Sequence, residues 1–196
     1  MSMNGLEAGL RDRLIDAGVE LVASGGSAAV SLREIARRAG VSHGAPRRYF
    51  PTHLELLSAV ARRGFADLGA RLGEAAAASA DDPRARLAAL SSAYLDFAAS
   101  NRGMYELMFR HDLLESNRLG LREVSLPLFR MVTTLVSDAE PPVNAAPEVV
   151  AGALWSSLHG IAQLWGWGSL QLATGLADVE PLLRAVLDAH LGTIPT

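Results

Sequence analysis

Cysteine and lysine are both missing from the 196 residues. Without cysteine there are no disulfides, thiolate metal sites, iron–sulfur clusters or thiol nucleophiles. That composition fits a reducing compartment, and the expected location is the cytoplasm. Without lysine, all 18 basic residues are arginine. A secretory leader is not expected, because Glu7, Asp12, Asp16 and Glu20 interrupt the first 30 residues and no apolar run stands there. The longest stretch without a formal charge, Val149–Ala177, is 29 residues. It contains Ser156, Ser157, His159, Gln163, Ser169 and Gln171 and is flanked by Glu148, Asp178 and Glu180, so a buried helix is expected rather than a membrane span.

Signatures of catalysis are also lacking. The five histidines, His43, His53, His111, His159 and His190, form no i,i+4 pair and no HExxH spacing, and no EF-hand loop occurs. There is no glycine-rich phosphate loop and no Gly-x-Ser-x-Gly elbow. The expectation is therefore no metal, no cofactor and no enzyme.

What is present is helical. Hydrophobic residues make up 49% and charged residues 20%, which suits a chain with a packed core. Alternating strand patterns do not occur, and apolar residues recur at helical spacing, as in Leu10, Leu14, Ala17, Leu21 and Val22. The punctuation predicts an all-α fold of nine helices, near residues 10–25, 31–39, 42–49, 53–80, 81–100, 104–110, 114–137, 149–166 and 178–190. Charge is uneven. Residues 1–63 hold nine Arg and six acids, a net of +3, while residues 64–196 hold nine Arg and fifteen acids, a net of −6. A basic head on an acidic body points one end toward a polyanion.

The head contains the stretch SLREIARRAGVSHGAPRRYFPTH, residues 31–53. Ser31 with Glu34 three residues on forms a capping box, and Gly40 supplies positive φ at the end of the short helix. Ala36 is small where two helices must approach. Ser42 is expected to cap the next helix, and Pro51 ends it. Two short helices meeting at Gly40-Val41-Ser42 make a helix-turn-helix, whose second helix can enter the major groove. Ser31, Arg33, Tyr49 and His53 suit phosphate, Arg47 and Arg48 suit guanine or phosphate, and Ser42, His43 and Gly44 form the leading end near base edges. On charge alone, a solvated basic face accounts for the same arginines.

Residues 10–57 resemble the N-terminal domain of the tetracycline-repressor (TetR) family of bacterial transcription regulators. Leu32, Ile35, Ala36, Ala39, Gly40, Val41, Ser42, Gly44, Ala45, Phe50 and Pro51 match its pattern in order. Arg47, Tyr49 and His53 stand where the family usually has Tyr, His and Lys, and Pro46 replaces an aliphatic residue. The resemblance implies a helix-turn-helix DNA-binding domain over residues 1–52 and a helical ligand-binding and dimerisation domain over residues 53–196. It further implies a homodimer that binds a near-palindromic double-stranded operator, usually as a repressor, and releases it on binding a small molecule. The alternative reading is a helical small-molecule-binding protein or enzyme without DNA binding.

In the C-terminal part, residues 154–160 read Leu-Trp-Ser-Ser-Leu-His-Gly, similar to a family subgroup with a Trp…His-Gly (WHG) signature on its penultimate helix. Trp155 and His159 share a helix face, either as a pocket wall or as a packed core pair. Gly152, Ser156 and Gly160 form a stripe of small residues where another helix can approach. Tyr105, Met108, Phe109, Phe129, Met131 and Trp165 complete the candidate pocket, and their chemistry suits a mainly hydrophobic ligand.

Overall fold

The structure is a computed structural model. It describes residues 3–79, 81–142 and 144–193, with side chains from residue 9 onward. Among the described residues there are eleven α-helices and no strand. The first five are α1 (Met3–Gly25), α2 (Leu32–Arg38), α3 (Ala45–Tyr49), α4 (His53–Ala78) and α5 (Pro83–Ser100). Then come α6 (Arg102–Met108), α7 (His111–Ser116), α8 (Leu121–Asp138), α9 (Pro147–Gly166), α10 (Ser169–Thr174) and α11 (Glu180–Leu191).

The all-α expectation holds; the helix count does not. The helix expected over 114–137 is two helices, α7 and α8, joined by a 3-10 turn at Arg118–Gly120. Asn117 (φ 47°) and Leu119 (φ 55°) are left-handed there, which breaks the ladder. Each such L-residue costs roughly 1–2 kcal/mol against right-handed backbone. The other addition is α10, bracketed by Gly168 and Gly175, both at positive φ.

The chain forms two compact units. One takes the residues up to Asp67 together with Asn101–Ser125; the other takes Leu68–Ser100 and the residues from Leu126 on. Helices α4 and α8 each contribute to both.

In the first unit, α1 is the hub. Leu14, Ile15, Ala17, Leu21 and Val22 are buried on one side of it, packed with α2, α3 and α6. Ile35 and Ala36 of α2 and Phe50 after α3 are each 0% exposed, so the helix pair is anchored by its apolar side. Tyr105, Leu107 and Met108 seat α6. Its approach to α1 is so close that a Cβ on Gly103 would lie 2.5 Å from the Val22 carbonyl oxygen.

In the second unit, α9 packs on α5, α10 and α11. Leu87, Leu90, Leu95 and Phe97 of α5 are buried with Val150, Ala151, Leu154, Leu158 and Ile161 of α9 and Leu183, Leu187 and Leu191 of α11. Arg84 ties the start of α5 to the end of α11, donating to Asp188 Oδ1 at 2.6 Å and to the Gly192 carbonyl. Asp82 caps α5 by accepting from Ala85 N at 2.8 Å. None of the helices among the described residues is long and apolar enough to cross a membrane.

Two glycine substitutions test this packing. Gly103→Ala forces a methyl against backbone that cannot rotate away, and it should destabilise by about 1–3 kcal/mol in urea unfolding. Gly73→Ala, in α4 with open space around its Cβ position, should instead stabilise by about 0.5–1 kcal/mol. Equal effects at the two positions would contradict the close α1–α6 contact.

Candidate nucleic-acid interface and polar aromatic cluster

The geometry of α2 follows from local signals. Ser31 Oγ accepts from Glu34 N at 3.2 Å, as the spacing predicts. The Glu34 carboxylate turns instead to Arg37, accepting from Nε at 2.9 Å. That hydrogen bond holds the Glu34 carboxyl below its usual pKa range. At the other end, Gly40 has φ 67°. Its N–H reaches the Arg37 carbonyl at 3.3 Å and the Val41 N–H reaches that of Ala36 at 3.0 Å. This is a Schellman closure, and it sets the sharp turn into α3.

Helix α3 is shorter than expected. Gly44, not Ser42, is its N-cap, and Ser42, His43 and Gly44 form the preceding turn, where Ser42 O accepts from Ala45 N at 3.0 Å. Pro46 lies in the first turn of α3, where no intrahelical N–H bond is lost, and it is buried. The next helix opens on a reciprocal capping box that the sequence reading overlooked. Glu55 N donates to Thr52 Oγ1 at 3.2 Å, and Thr52 N donates to Glu55 Oε2 at 3.0 Å.

Ser31, Arg33, Ser42, His43, Gly44, Arg47, Arg48 and His53 are exposed, and Tyr49 is half-buried. The nine arginines of residues 1–63 divide by partner. Arg37, Arg38 and Arg63 face Glu34, Glu20 and Asp16. Arg13 and Arg62 donate to backbone carbonyls, and Arg11 lies over the Phe50 ring at 5.5 Å. Among the described residues, Arg33, Arg47 and Arg48 have no acidic or hydrogen-bonding partner, and all three are on α2 and α3. His53 is held within the chain: its Nε2 lies 2.7 Å from the Val30 carbonyl oxygen. A carbonyl only accepts, so Nε2 carries the proton and links the start of α4 to the residue before the α2 cap.

The eight candidate ligand residues fall in both units, with Met131 half-buried in the second. Tyr105 and Met108 are 2% and 0% exposed in the first, where Phe109 stacks edge-on with Tyr105 and Phe65 at 5.0 and 5.6 Å. In the second unit, Phe129 meets Trp155 edge-on at 6.3 Å, and Trp155 lies 5.8 Å from the His159 ring. Trp165 is half-buried, and its carbonyl accepts from Gln171 Nε2 at 3.1 Å. Tyr94, missed by the sequence reading, joins the Trp155–His159 pair. Its oxygen accepts from Trp155 Nε1 at 3.3 Å and lies 2.9 Å from His159 Nδ1. An open depression beside α11 is lined by Asp178, Glu180, Arg184 and Asp188 and includes none of these eight residues.

Burial lowers the His159 pKa, keeping the imidazole neutral within its aromatic surroundings. A histidine depressed in the fold stabilises above its unfolded value and loses that contribution as pH falls. Thermal stability should therefore decline from about pH 6.5 downward. His159→Gln should flatten that part of the profile; an unchanged profile would show that His159 does not carry it.

A buried helical hub, an exposed helix-turn-helix and uncommitted cations on that element define a helix-turn-helix regulator. Residues 14–60 match the family described as "Bacterial regulatory proteins, tetR family", and residues 87–190 match "Tetracyclin repressor-like, C-terminal domain". The chain is 36% identical over 182 residues to the HTH-type transcriptional regulator BetI of Burkholderia thailandensis, covering 91% of this chain and 90% of that protein. A protein of unknown function from Rhodococcus sp. RHA1 superposes with TM-score 0.80 at 29% identity, covering 93% of each chain. The multidrug binding protein EbrR, solved with imidazole, superposes with TM-score 0.60 at 26% identity, covering 95% of this chain and 96% of its own. The chain belongs to the tetR family of bacterial transcriptional regulators.

Proposed function

We propose that this regulator is a cytoplasmic homodimer that represses transcription by binding a near-palindromic duplex, and that a small, mainly hydrophobic molecule releases it. Residues 1–52 read the DNA, and residues 53–196 sense the ligand and pair the protomers, in the manner of the Trp-His-Gly subgroup. The chain needs no cofactor or metal and works by binding, not catalysis.

The observation that carries this reading is the placement of Arg33, Arg47 and Arg48. Exposed guanidinium groups without acids beside them suit phosphate and guanine. Ser31, Ser42, His43, Gly44 and Tyr49 complete the contact surface. His53 reaches the duplex less directly, because its Nε2 is committed to Val30.

For the ligand, Trp155, Phe129, Tyr94 and His159 offer aromatic faces and hydrogen-bonding groups with a neutral imidazole, which favours an uncharged aromatic molecule. Tyr105, Met108, Phe109 and Trp165 remain candidates for the same role. EbrR, with its bound imidazole, supports small-molecule sensing in this fold. For the dimer, the support is the face of α9 that carries Gly152, Ser156 and Gly160. A Cβ on Gly152 or Gly160 would meet nothing within 4 Å. Val149 in the first turn of α9 and Trp167 just past its end are 62% and 60% exposed. Ligand coupling of about 1–3 kcal/mol, acting through α4, would change DNA affinity roughly 5–150-fold.

The test starts from selection of duplexes by the full-length protein out of a random library. Arg33→Ala, Arg47→Ala and Arg48→Ala are then titrated with salt on the selected duplex. Loss of a phosphate contact makes the log–log slope shallower by about 0.9, and loss of a base contact relaxes preference at one position. If none of the three variants moves slope or preference, the proposed interface is wrong. Sedimentation showing only monomer at micromolar concentration would remove the dimer. A thermal-shift screen stabilised only by highly charged metabolites would remove the hydrophobic ligand.

A further inference from the structure

The turn between α7 and α8 is held by arginines from three places. Arg62, in the middle of α4, donates through Nη1 to the carbonyl oxygens of Leu119, at 2.7 Å, and Gly120. Its Nη1 also lies 3.8 Å from Glu123 Oε2 on the first turn of α8. Arg118, inside the turn, faces Glu55 at 3.6 Å near the start of α4. Arg122 closes the end of α7, donating to the Leu114 and Glu115 carbonyls at 3.1 and 3.0 Å, while its own N–H is capped by Asn117 Oδ1 at 2.8 Å.

The backbone at this place is one that the local sequence does not favour. Asn117, Leu119 and Gly120 all have positive φ within four residues, and Leu119, at φ 55° and ψ 28°, has no side-chain group that can compensate. The two carbonyls that accept from Arg62 are those that a continuous helix would direct to N–H groups four residues on. Leu119 lies outside the α8 ladder, which opens at Leu121, so Arg62 supplies from α4 a donor to a carbonyl of the left-handed turn. The same helix α4 begins at His53, which is bonded to Val30 beside the α2 cap. One rigid helix therefore joins the strained turn to the base of the helix-turn-helix, all within the first unit. From that turn α8 runs on to Phe129, the partner of Trp155.

We infer that Arg62 is a positioning residue for DNA binding: it holds the α7–α8 turn in its left-handed form and so fixes α4, and with it the reading head, against the start of α8. This rests on the DNA-binding reading above and adds to it the point where α8 is fastened to the head. Arg62 itself does not touch the duplex.

The test uses full-length Arg62→Ala, Leu119→Gly and the double variant, read by amide hydrogen exchange and by affinity for the duplex selected by the unaltered protein. Glycine adopts left-handed backbone without strain, so it should keep the turn bent when Arg62 is gone. Arg62→Ala should speed exchange over residues 117–123 and weaken duplex affinity, each by about tenfold, with an unchanged salt slope. Leu119→Gly in the Arg62→Ala background should recover most of the exchange loss, while affinity recovers less because the bonds from α4 to the turn are still missing. Arg62→Lys, which keeps the charge on a shorter side chain, should fall between, and it replaces the alanine variant should that one not fold. Unchanged exchange over 117–123, unchanged duplex affinity in Arg62→Ala, no recovery of exchange by Leu119→Gly, or a reduced salt slope would each overturn the inference. If the unaltered protein selects no duplex, the DNA-binding reading fails, while the exchange measurements still decide whether Arg62 holds the turn.

Discussion

Everything exposed on the head depends on the apolar seam that α1 forms with α2, α3 and α6. Ile35, Ala36 and Phe50 are fully withdrawn from water on it. A helix of seven residues and one of five are too short to persist alone, because helix nucleation is unfavourable and few bonds follow it. Burial of their inner faces is what orders their outer faces. The arginines on the outside can then be aimed without first being assembled, which spares the binding step the ordering cost that a flexible basic segment would meet.

Electrostatics sharpens this division. The head is only modestly basic, but its charge is not evenly available. Six of its nine arginines are occupied by acids, carbonyls or an aromatic ring. The remainder cluster on the two helices of the reading element. Net charge alone therefore understates how strongly this end can face a polyanion. The second unit has a different character: Tyr94, Trp155 and His159 gather polar atoms among aromatic faces, and burial keeps the histidine uncharged.

What could be read from the sequence was what short-range chemistry determines. Ser31 capping Glu34 spans three residues, and Gly40 closes α2 through bonds reaching three to five residues back. The box of Thr52 and Glu55 was equally readable and was overlooked, as was α10 between its two glycines. Other features have no local sign. The break between α7 and α8 is stabilised by Arg62, 57 residues before Leu119, and leucine gives no warning of left-handed backbone. Tyr94 reaches His159 across 65 residues. Of the aromatic and Met residues at helical spacing, Tyr105 and Met108 are buried whereas Trp155 is 39% exposed, and spacing could not say which would be withdrawn from water or which unit each would join. The family signature carried the functional reading further than pattern could, because its matched residues are those that build the anchored helix pair.

The claim at the centre is that α3, seated by this seam, enters the major groove of a duplex in two symmetry-related copies. Hydroxyl-radical footprinting of the full-length protein on a selected duplex tests it most directly. The account predicts two equivalent protected patches whose centres lie about one helical turn, 10–10.5 base pairs, or a multiple of it apart. A single asymmetric patch, or protection with no relation to the helical repeat, would contradict it.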